Sequence, residues 1–303
     1  MNKYIKLHIN QIRRQALACK YIMKNLGYYN GKFGPLEEMT VPMCDRGFYF
    51  GDGVYEVVMV RNYKMYAFEA HINRMFNSAG MLGITSPYTK EEIRDILCEM
   101  IQKLDSPNQI AYWQITRGTA IRNHTYSKDM TANLCIMLKP GELKDMYSEV
   151  EAITEPDKRF YYCNIKTLNL IPSVLYAQKA TNLGVYDTIL YREGGRVTEC
   201  SHANCAIINK NGEFQTAPAD ELILPGVARA YAIAACKELG IPVSEEPYTV
   251  DDVMEAREVM ITSTTGPMMV VKTVDGKPVG GKAKDTVNKL REYLLKDYIE
   301  KTN

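Results

Sequence analysis

The sequence predicts an α+β protein of two domains, and three observations carry that prediction. Apolar residues alternate at strand spacing in "VYEVVMV", "IAYWQITRG" and "ANLCIMLKP". They recur at intervals of three and four in "EAHINRMFNSAGMLG" and "TKEEIRDILCEMIQKL". Near the middle of the chain, "KPGELKD" breaks any continuing element at Pro140-Gly141. At 303 residues the chain has room for two domains. The boundaries we expect are an N-terminal extension over residues 1–26, a small α+β domain over 27–142 and a larger α+β domain over 143–303, with a cleft between the two domains.

Taken in order, residues 1–26 carry Lys3, Lys6, Arg13, Arg14, Lys20 and Lys24 and no acidic residue. Ile5, Ile9, Ile12 and Ala16 fall at helical spacing, which predicts a basic amphipathic helix. A presequence has this look but is usually rich in serine, and the segment has none, so a docking helix is the better expectation. A Gly-bracketed turn then leads into a strand over residues 54–60 and a second strand after Arg61-Asn62. Two helices follow, the second opened by a capping box of Thr89 and Glu92. Strands at 110–118 and 132–140 complete the first domain. Beyond the linker we expect a strand in "YYCNIKTLNL" and a helix over about 173–183. A strand pair turning at Gly194-Gly195 and a hairpin at Asn211-Gly212 come next. A helix after Gly226, a strand in "REVMITSTTGP" and a last helix over about 283–300 close the chain.

Composition narrows the function. With 46% hydrophobic and 24% charged residues the chain is an ordinary globular protein, and 37 basic against 36 acidic residues leave no broad basic face for nucleic acid. Eight cysteines form no C-x-x-C pair and mostly sit in apolar runs, which points to reduced thiols and a cytoplasmic setting. Four histidines give a zinc site little support, and no apolar stretch nears the ~20 residues that span a bilayer. Neither G-x-G-x-x-G, G-x-x-x-x-G-K-S/T nor G-x-S-x-G occurs, which removes the main support for dinucleotide, P-loop and serine-hydrolase readings.

Three stretches carry chemistry. In "NIKTLNL", Lys166 is either an edge-strand lysine that discourages aggregation or a desolvated, reactive amine. The hydroxyls of Ser263 and Thr264 after a strand, and the helix start at Gly226, each suit an anion but equally serve as a turn and a cap. Glu199 follows a strand and precedes a small-residue turn. A lone lysine, two phosphate cups and a sheltered carboxylate together are the set that pyridoxal phosphate requires.

The motifs "DRGFYFGDGVYEVV", "HINRM", "TRGTAIRNH", "NIKTLNL", "GGRVTECSHAN", "LPGVAR" and "ITSTT" resemble, in order, those of the class IV (fold-type IV) pyridoxal-phosphate aminotransferases, and among them the D-amino-acid group. The resemblance covers roughly residues 36–300. It implies a two-domain fold-type IV enzyme with its active site in the interdomain cleft, pyridoxal 5'-phosphate as cofactor and a homodimer. Lys166 would form the Schiff base, and Glu199 would pair with the pyridine nitrogen. Arg74, Leu224, Val227, Ala228, Ser263 and Thr264 would complete the cofactor site. Two positions depart from the family pattern: Ala228 stands where a threonine is usual, and His202 where a small hydroxyl residue is usual.

The resemblance also bears on the substrate. A lysine reaching the cofactor from one side can take only a Cα–H that points at it, so the position of the carboxylate anchor selects the enantiomer. The D-amino-acid group places that anchor at the positions of Tyr55, Arg122 and His124, where a guanidinium fork, an imidazole and a phenol supply donors. The implied reaction is transamination between a D-amino acid such as D-alanine and a 2-oxo acid such as 2-oxoglutarate or pyruvate. Alternatives of the same fold are a branched-chain L-aminotransferase, an (R)-amine transaminase and an aminodeoxychorismate lyase. A non-catalytic cofactor-binding or regulatory protein is the alternative outside enzymology.

Overall fold

The computed structural model describes residues 24–303. The basic helix expected over residues 1–26 thus lies outside the described residues except at its last three positions, and there Leu26 already opens a strand. The chain divides into two compact units. The first holds the described residues up to Glu142 together with Lys166–Asn169 and Thr302–Asn303, and the second holds Leu143–Ile165 and Leu170–Lys301.

In the first unit, strands β1 (Leu26–Tyr29), β2 (Lys32–Pro35), β3 (Gly53–Arg61), β4 (Lys64–Met65), β5 (Gln109–Thr116) and β6 (Asn133–Pro140) form a six-stranded sheet in the order β2-β1-β6-β5-β3-β4. Every neighbouring pair is antiparallel. Glu56 of β3 lies opposite Trp113 of β5, so the two share a face, and the Trp113 indole N–H meets Met75 Sδ at 2.7 Å. Met75 belongs to the helix Phe68–Met81, which turns Phe68, His71, Ile72, Met75, Ser78 and Ala79 inward. That set follows the three-and-four spacing read from the sequence. The helix Lys90–Ile101 carries the expected capping box: Glu92 N–H donates to Thr89 Oγ1 at 3.2 Å, and Thr89 N–H to Glu92 Oε2 at 2.9 Å.

The strand expected at Lys166 does not form. Residues 161–168 run as turns, with one isolated bridge, Val54↔Thr167. The reason is the scatter of their hydrogen bonds. Ile165 N–H closes a turn on Tyr162 O at 3.1 Å, and Lys166 N–H donates to Ser78 Oγ at 3.1 Å. Lys166 O accepts from Tyr55 N–H, and Leu168 N–H donates to Gly53 O, each at 3.0 Å. An apolar alternation is compatible with a strand, but a strand also needs one continuous ladder partner, which this segment lacks.

In the second unit, β7 (Glu149–Pro156), β8 (Asp187–Tyr191), β9 (Val197–Cys200), β10 (Asn204–Ile208), β11 (Phe214–Thr216), β12 (Val243–Ser244), β13 (Glu258–Thr262), β14 (Met269–Val274) and β15 (Lys277–Pro278) form a nine-stranded mixed sheet. β7 runs parallel to both β8 and β14. Cys205 and Ile207 of β10 enter one apolar cluster while Ala206 and Ile208 enter another, so both faces of the sheet are covered. Double coverage explains why β10 and β13 read as continuous apolar runs. Helices Ile171–Asn182, Val227–Glu238, Val250–Glu255 and Lys284–Thr302 accompany this sheet.

Gly53 is where β3 receives the lysine segment. A Cβ there would lie 2.5 Å from Ile115 O and 2.8 Å from Leu168 Cδ1. Gly53→Ala is therefore expected to destabilise the protein by about 1–3 kcal/mol, because a neighbouring backbone oxygen cannot yield as a side chain can. Urea unfolding followed by the fluorescence of Trp113, the one tryptophan, measures this.

Candidate active site

Strand alternation sends Tyr55 and Glu56 to opposite faces of β3. Tyr55 stacks on Tyr112 with ring centroids 5.6 Å apart and 25° between planes. The Lys166 amine lies 4.2 Å from the Tyr55 ring centroid, so the expected Schiff-base lysine and one member of the expected carboxylate anchor meet within the first unit. Lys166 is held there by its own backbone bonds to Tyr55 and Ser78.

On the other face, Glu56 is fully buried and clamped. Arg74 donates through Nε to Oε1 at 2.7 Å and through Nη2 to Oε2 at 2.9 Å, and His71 Nδ1 stands 2.7 Å from Oε2. Burial pushes the Glu56 carboxyl up, but the hydrogen bonds and charges of His71 and Arg74 outweigh it and bring the group down to about 2. Burial in turn lowers the pKa of His71. The sequence reading named Arg74 but missed Glu56 and His71. A signal existed: one carboxylate inside "GVYEVVMV" needs partners, and His71 and Arg74 sit three apart, on one face of the next helix.

Arg122 and His124 lie on the loop after β5, and both meet Phe50. The Arg122 guanidinium is 4.8 Å from the Phe50 ring centroid, and the His124 ring is 5.3 Å from it. Buried arginines fix this loop. Arg46 Nη1 donates to Asn123 O at 2.6 Å while its Nε holds Asp52 Oδ2 at 2.8 Å. Arg117 Nε reaches the same Asp52 at 2.9 Å, and its guanidinium stacks 3.7 Å from the Tyr126 centroid. Arg46, Asp52 and Arg117 escaped the sequence reading.

In the second unit, Glu199 of β9 is the centre of a local network. Asn204 Nδ2 donates to its Oε2 at 2.9 Å, Leu224 N–H to the same oxygen at 3.0 Å, and Arg159 pairs with Oε1. Arg159 is itself gripped by Asp157, with Nε to Oδ1 at 3.0 Å and Nη2 to Oδ2 at 2.8 Å. Burial raises the Glu199 carboxyl above its ordinary value, while Arg159 and the Leu224 N–H oppose that rise. The carboxylates around Arg159 raise its own pKa against the effect of burial. Nothing local in "DKRF" had marked Arg159.

Asn204 also fixes the helix start. A Cβ on Gly226 would fall 1.9 Å from Asn204 Oδ1, so only glycine permits the approach. Gly226 caps the helix Val227–Glu238 without any side-chain hydrogen bond, which leaves the N–H groups of the first turn, at Val227 and Ala228, to an outside acceptor. Thr262 pairs with Asn204 across β13 and β10, and Ser263 and Thr264 begin the turn that follows, where Gly266 N–H donates to Ser263 Oγ at 3.2 Å. Glu199, Leu224, the helix start and the hydroxyl turn are thus gathered around one asparagine. His202 sits in the β9–β10 turn with Nδ1 2.9 Å from Ser201 Oγ and 3.3 Å from Asp187 Oδ2. Among the described residues no cluster of His, Cys, Asp and Glu could hold a metal.

Residues 53–274 match the family described as amino-transferase class IV. The chain belongs to the class IV aminotransferases. Enzymes of this family transaminate with pyridoxal phosphate, and the residues here suit that cofactor: an amine over an aromatic ring, a buried carboxylate, and a helix start with no side-chain cap beside a hydroxyl turn. The chain is 37% identical over 270 residues to a D-alanine aminotransferase of Listeria monocytogenes, covering 87% of this chain and 93% of that one. It is 34% identical to a D-alanine aminotransferase of Bacillus licheniformis, covering 89% and 96%. In fold it is similar to the branched-chain amino acid aminotransferase of Escherichia coli, with a TM-score of 0.83 at 19% identity over 92% of this chain and 96% of that one. The branched-chain aminotransferase of Thermoproteus uzoniensis gives 0.80 at 22% identity over 90% and 95%. At such identities the likeness establishes the fold-type IV architecture alone.

The Glu56 clamp sets a pH dependence. Folded Glu56 titrates near about 2 against an ordinary 4.5, and buried His71 likewise resists protonation, so the folded state binds fewer protons than the unfolded one. Stability present above the ordinary values is lost as pH falls from them toward the folded values, and the Glu56 share, about 3 kcal/mol at about 1.4 kcal/mol per pH unit, is fully lost only below about pH 2. Urea midpoints should fall between about pH 7 and pH 3, and Glu56→Gln, though less stable at neutral pH, should show a shallower fall.

Proposed function

We propose that this aminotransferase interconverts D-amino acids and 2-oxo acids, with D-alanine as a donor and 2-oxoglutarate or pyruvate as acceptor. One observation carries the reading: Arg122 and His124 approach a common aromatic ring, Phe50, at the positions that the D-amino-acid group uses to anchor the substrate carboxylate. The curated relatives named as D-alanine aminotransferases, at 34–38% identity, support it.

Lys166 would hold the cofactor, and its amine is the base that would take the proton from the substrate Cα and give it back when the reaction runs in reverse. Glu199 pairs with the ring nitrogen, and Arg159, Asn204 and Leu224 hold its carboxyl in place for that contact. By the family resemblance Arg74, the N–H groups at Val227 and Ala228, and the hydroxyls of Ser263 and Thr264 would hold the phosphate, with Ala228 offering no hydroxyl of its own. When bound, pyridoxal phosphate supplies an electron sink for the carbanion left at Cα. Tyr55, Arg122 and His124 grip the substrate carboxylate, and so decide which hydrogen Lys166 meets.

The same reading makes the enzyme a homodimer in a cytoplasmic setting. Phe160, Tyr161, Tyr162, Ile171, Val174 and Leu175 are each more than half exposed in the second unit, and such apolar exposure supports a partner surface. The seven described cysteines are all free thiols, and no described helix is long and apolar enough to cross a membrane.

Lys166→Ala should abolish transamination and the visible absorbance of the bound cofactor, and a coloured, full-rate variant would sink the assignment. Arg122→Ala should lower kcat/KM for D-alanine by an amount equivalent to about 2–5 kcal/mol, as when one partner of a desolvated ion pair is truncated. Light scattering after gel filtration should give twice the chain mass for the wild type and a shift toward monomer for Val174→Asp.

A further inference from the structure

The loop that carries Arg122 and His124 has no regular secondary structure. Ile121, Arg122, Asn123 and His124 are all exposed, and among the described residues neither Arg122 nor His124 forms an ion pair. Two exposed side chains on an irregular backbone keep one geometry only if another element supplies that backbone with hydrogen bonds. The short helix Arg46–Phe50 and the residue Cys44 before it do so. Arg46 N–H donates to Gly118 O at 2.9 Å, Ala120 N–H to Cys44 O at 3.0 Å, and the Tyr49 hydroxyl to Ala120 O at 2.5 Å. Further along the loop the donor is the Arg46 guanidinium, with Nη1 to Asn123 O at 2.6 Å and Nη2 to His124 O at 3.4 Å.

Arg46 is only 3% exposed, and Asp52 takes its Nε at 2.8 Å. Each nitrogen of the fork is thus committed to the protein, which makes Arg46 a holder of the loop and no part of a substrate contact. The same helix also meets the two side chains. The guanidiniums of Arg46 and Arg122 each lie 4.8 Å from the Phe50 ring centroid, and the His124 ring lies 5.3 Å from it. The helix start is fixed in turn by Asp45, whose Oδ1 accepts from Gly47 N–H at 2.8 Å and whose Oδ2 accepts from the Tyr29 hydroxyl at 3.0 Å and Asn133 Nδ2 at 2.8 Å. We propose that Arg46 is a positioning residue for carboxylate recognition: it spans Asp52 and the carbonyls of Asn123 and His124, and so sets where Arg122 and His124 present their donors. The inference rests on the reading of Arg122 and His124 as the carboxylate anchor.

The test uses the cofactor-loaded enzyme and two probes. Propionate, a carboxylate without an amine, is measured as a competitive inhibitor against D-alanine, and hydroxylamine, which reacts with the bound cofactor but carries no carboxylate, is followed by absorbance. Arg46→Met should raise the propionate Ki by about tenfold or more and leave the hydroxylamine rate within about twofold of the wild type. Arg46→Lys keeps the charge but cannot span all three acceptors, so it should raise the Ki in the same way. A wild-type Ki in either variant would overturn the proposal, as would a hydroxylamine rate that changes as much as the Ki. If Arg46→Met does not fold, Phe50→Leu, at a half-buried position, carries the test: the Ki should rise by about threefold, and an unchanged Ki would overturn the proposal. Arg122→Ala separates the inference from the reading beneath it. A Ki raised in Arg122→Ala but not in Arg46→Met overturns the positioning role alone, whereas a Ki unchanged in Arg122→Ala overturns the carboxylate anchor and the positioning role with it.

Discussion

A carboxylate removed from water must be given donors or a proton, and this requirement shapes both units of the protein. Glu56 is enclosed on β3, and the helix Phe68–Met81 answers it with His71 and Arg74 from consecutive turns of one face. The clamp ties helix to sheet on one side of β3, while Tyr55, the next residue, is left on the other side for the Lys166 amine. Fixing one residue of a strand fixes the direction of its neighbour, so the ion pair also orients the tyrosine.

Glu199 obeys the same rule with a different outcome. Its three donors come from a side chain, a backbone N–H and an arginine that is held in turn by Asp157. Burial nevertheless keeps its carboxyl above the ordinary value, so the group is not locked as deeply into its charged form as Glu56. That difference suits the two tasks. Glu56 serves as a fixed counter-charge, whereas Glu199, in the role proposed for it, would need a pKa within reach of a pyridine nitrogen.

Much of the fold was legible because its signals are local. The helical spacing of Ile72, Met75 and Ala79, the Thr89–Glu92 capping box and the alternation in β3, β5 and β6 each depend on a few neighbouring residues. β7, "EVEAITEP", was not legible, since a strand flanked by two parallel partners carries no clean alternation here. The Lys166 segment misled for the opposite reason: its pattern is strand-like, but its hydrogen bonds go to Ser78, Tyr55 and Gly53, all distant in sequence. Arg159 was invisible because its role depends on Glu199, forty residues further on. The site residues that the sequence led us to expect came from the order of several motifs rather than from any one of them.

In the proposed reaction the outcome turns on which hydrogen of the substrate faces Lys166, and that depends on where the carboxylate is anchored. Arg122 and His124, the proposed anchor, belong to a loop that Arg46 holds through Asn123 O, and Arg46 and Arg117 share Asp52. The most direct test is the absorbance of the bound cofactor after adding D-alanine, L-leucine or (R)-1-phenylethylamine separately. The account predicts conversion from the pyridoxal to the pyridoxamine spectrum with D-alanine and little or none with the other two. Conversion by L-leucine alone would contradict it.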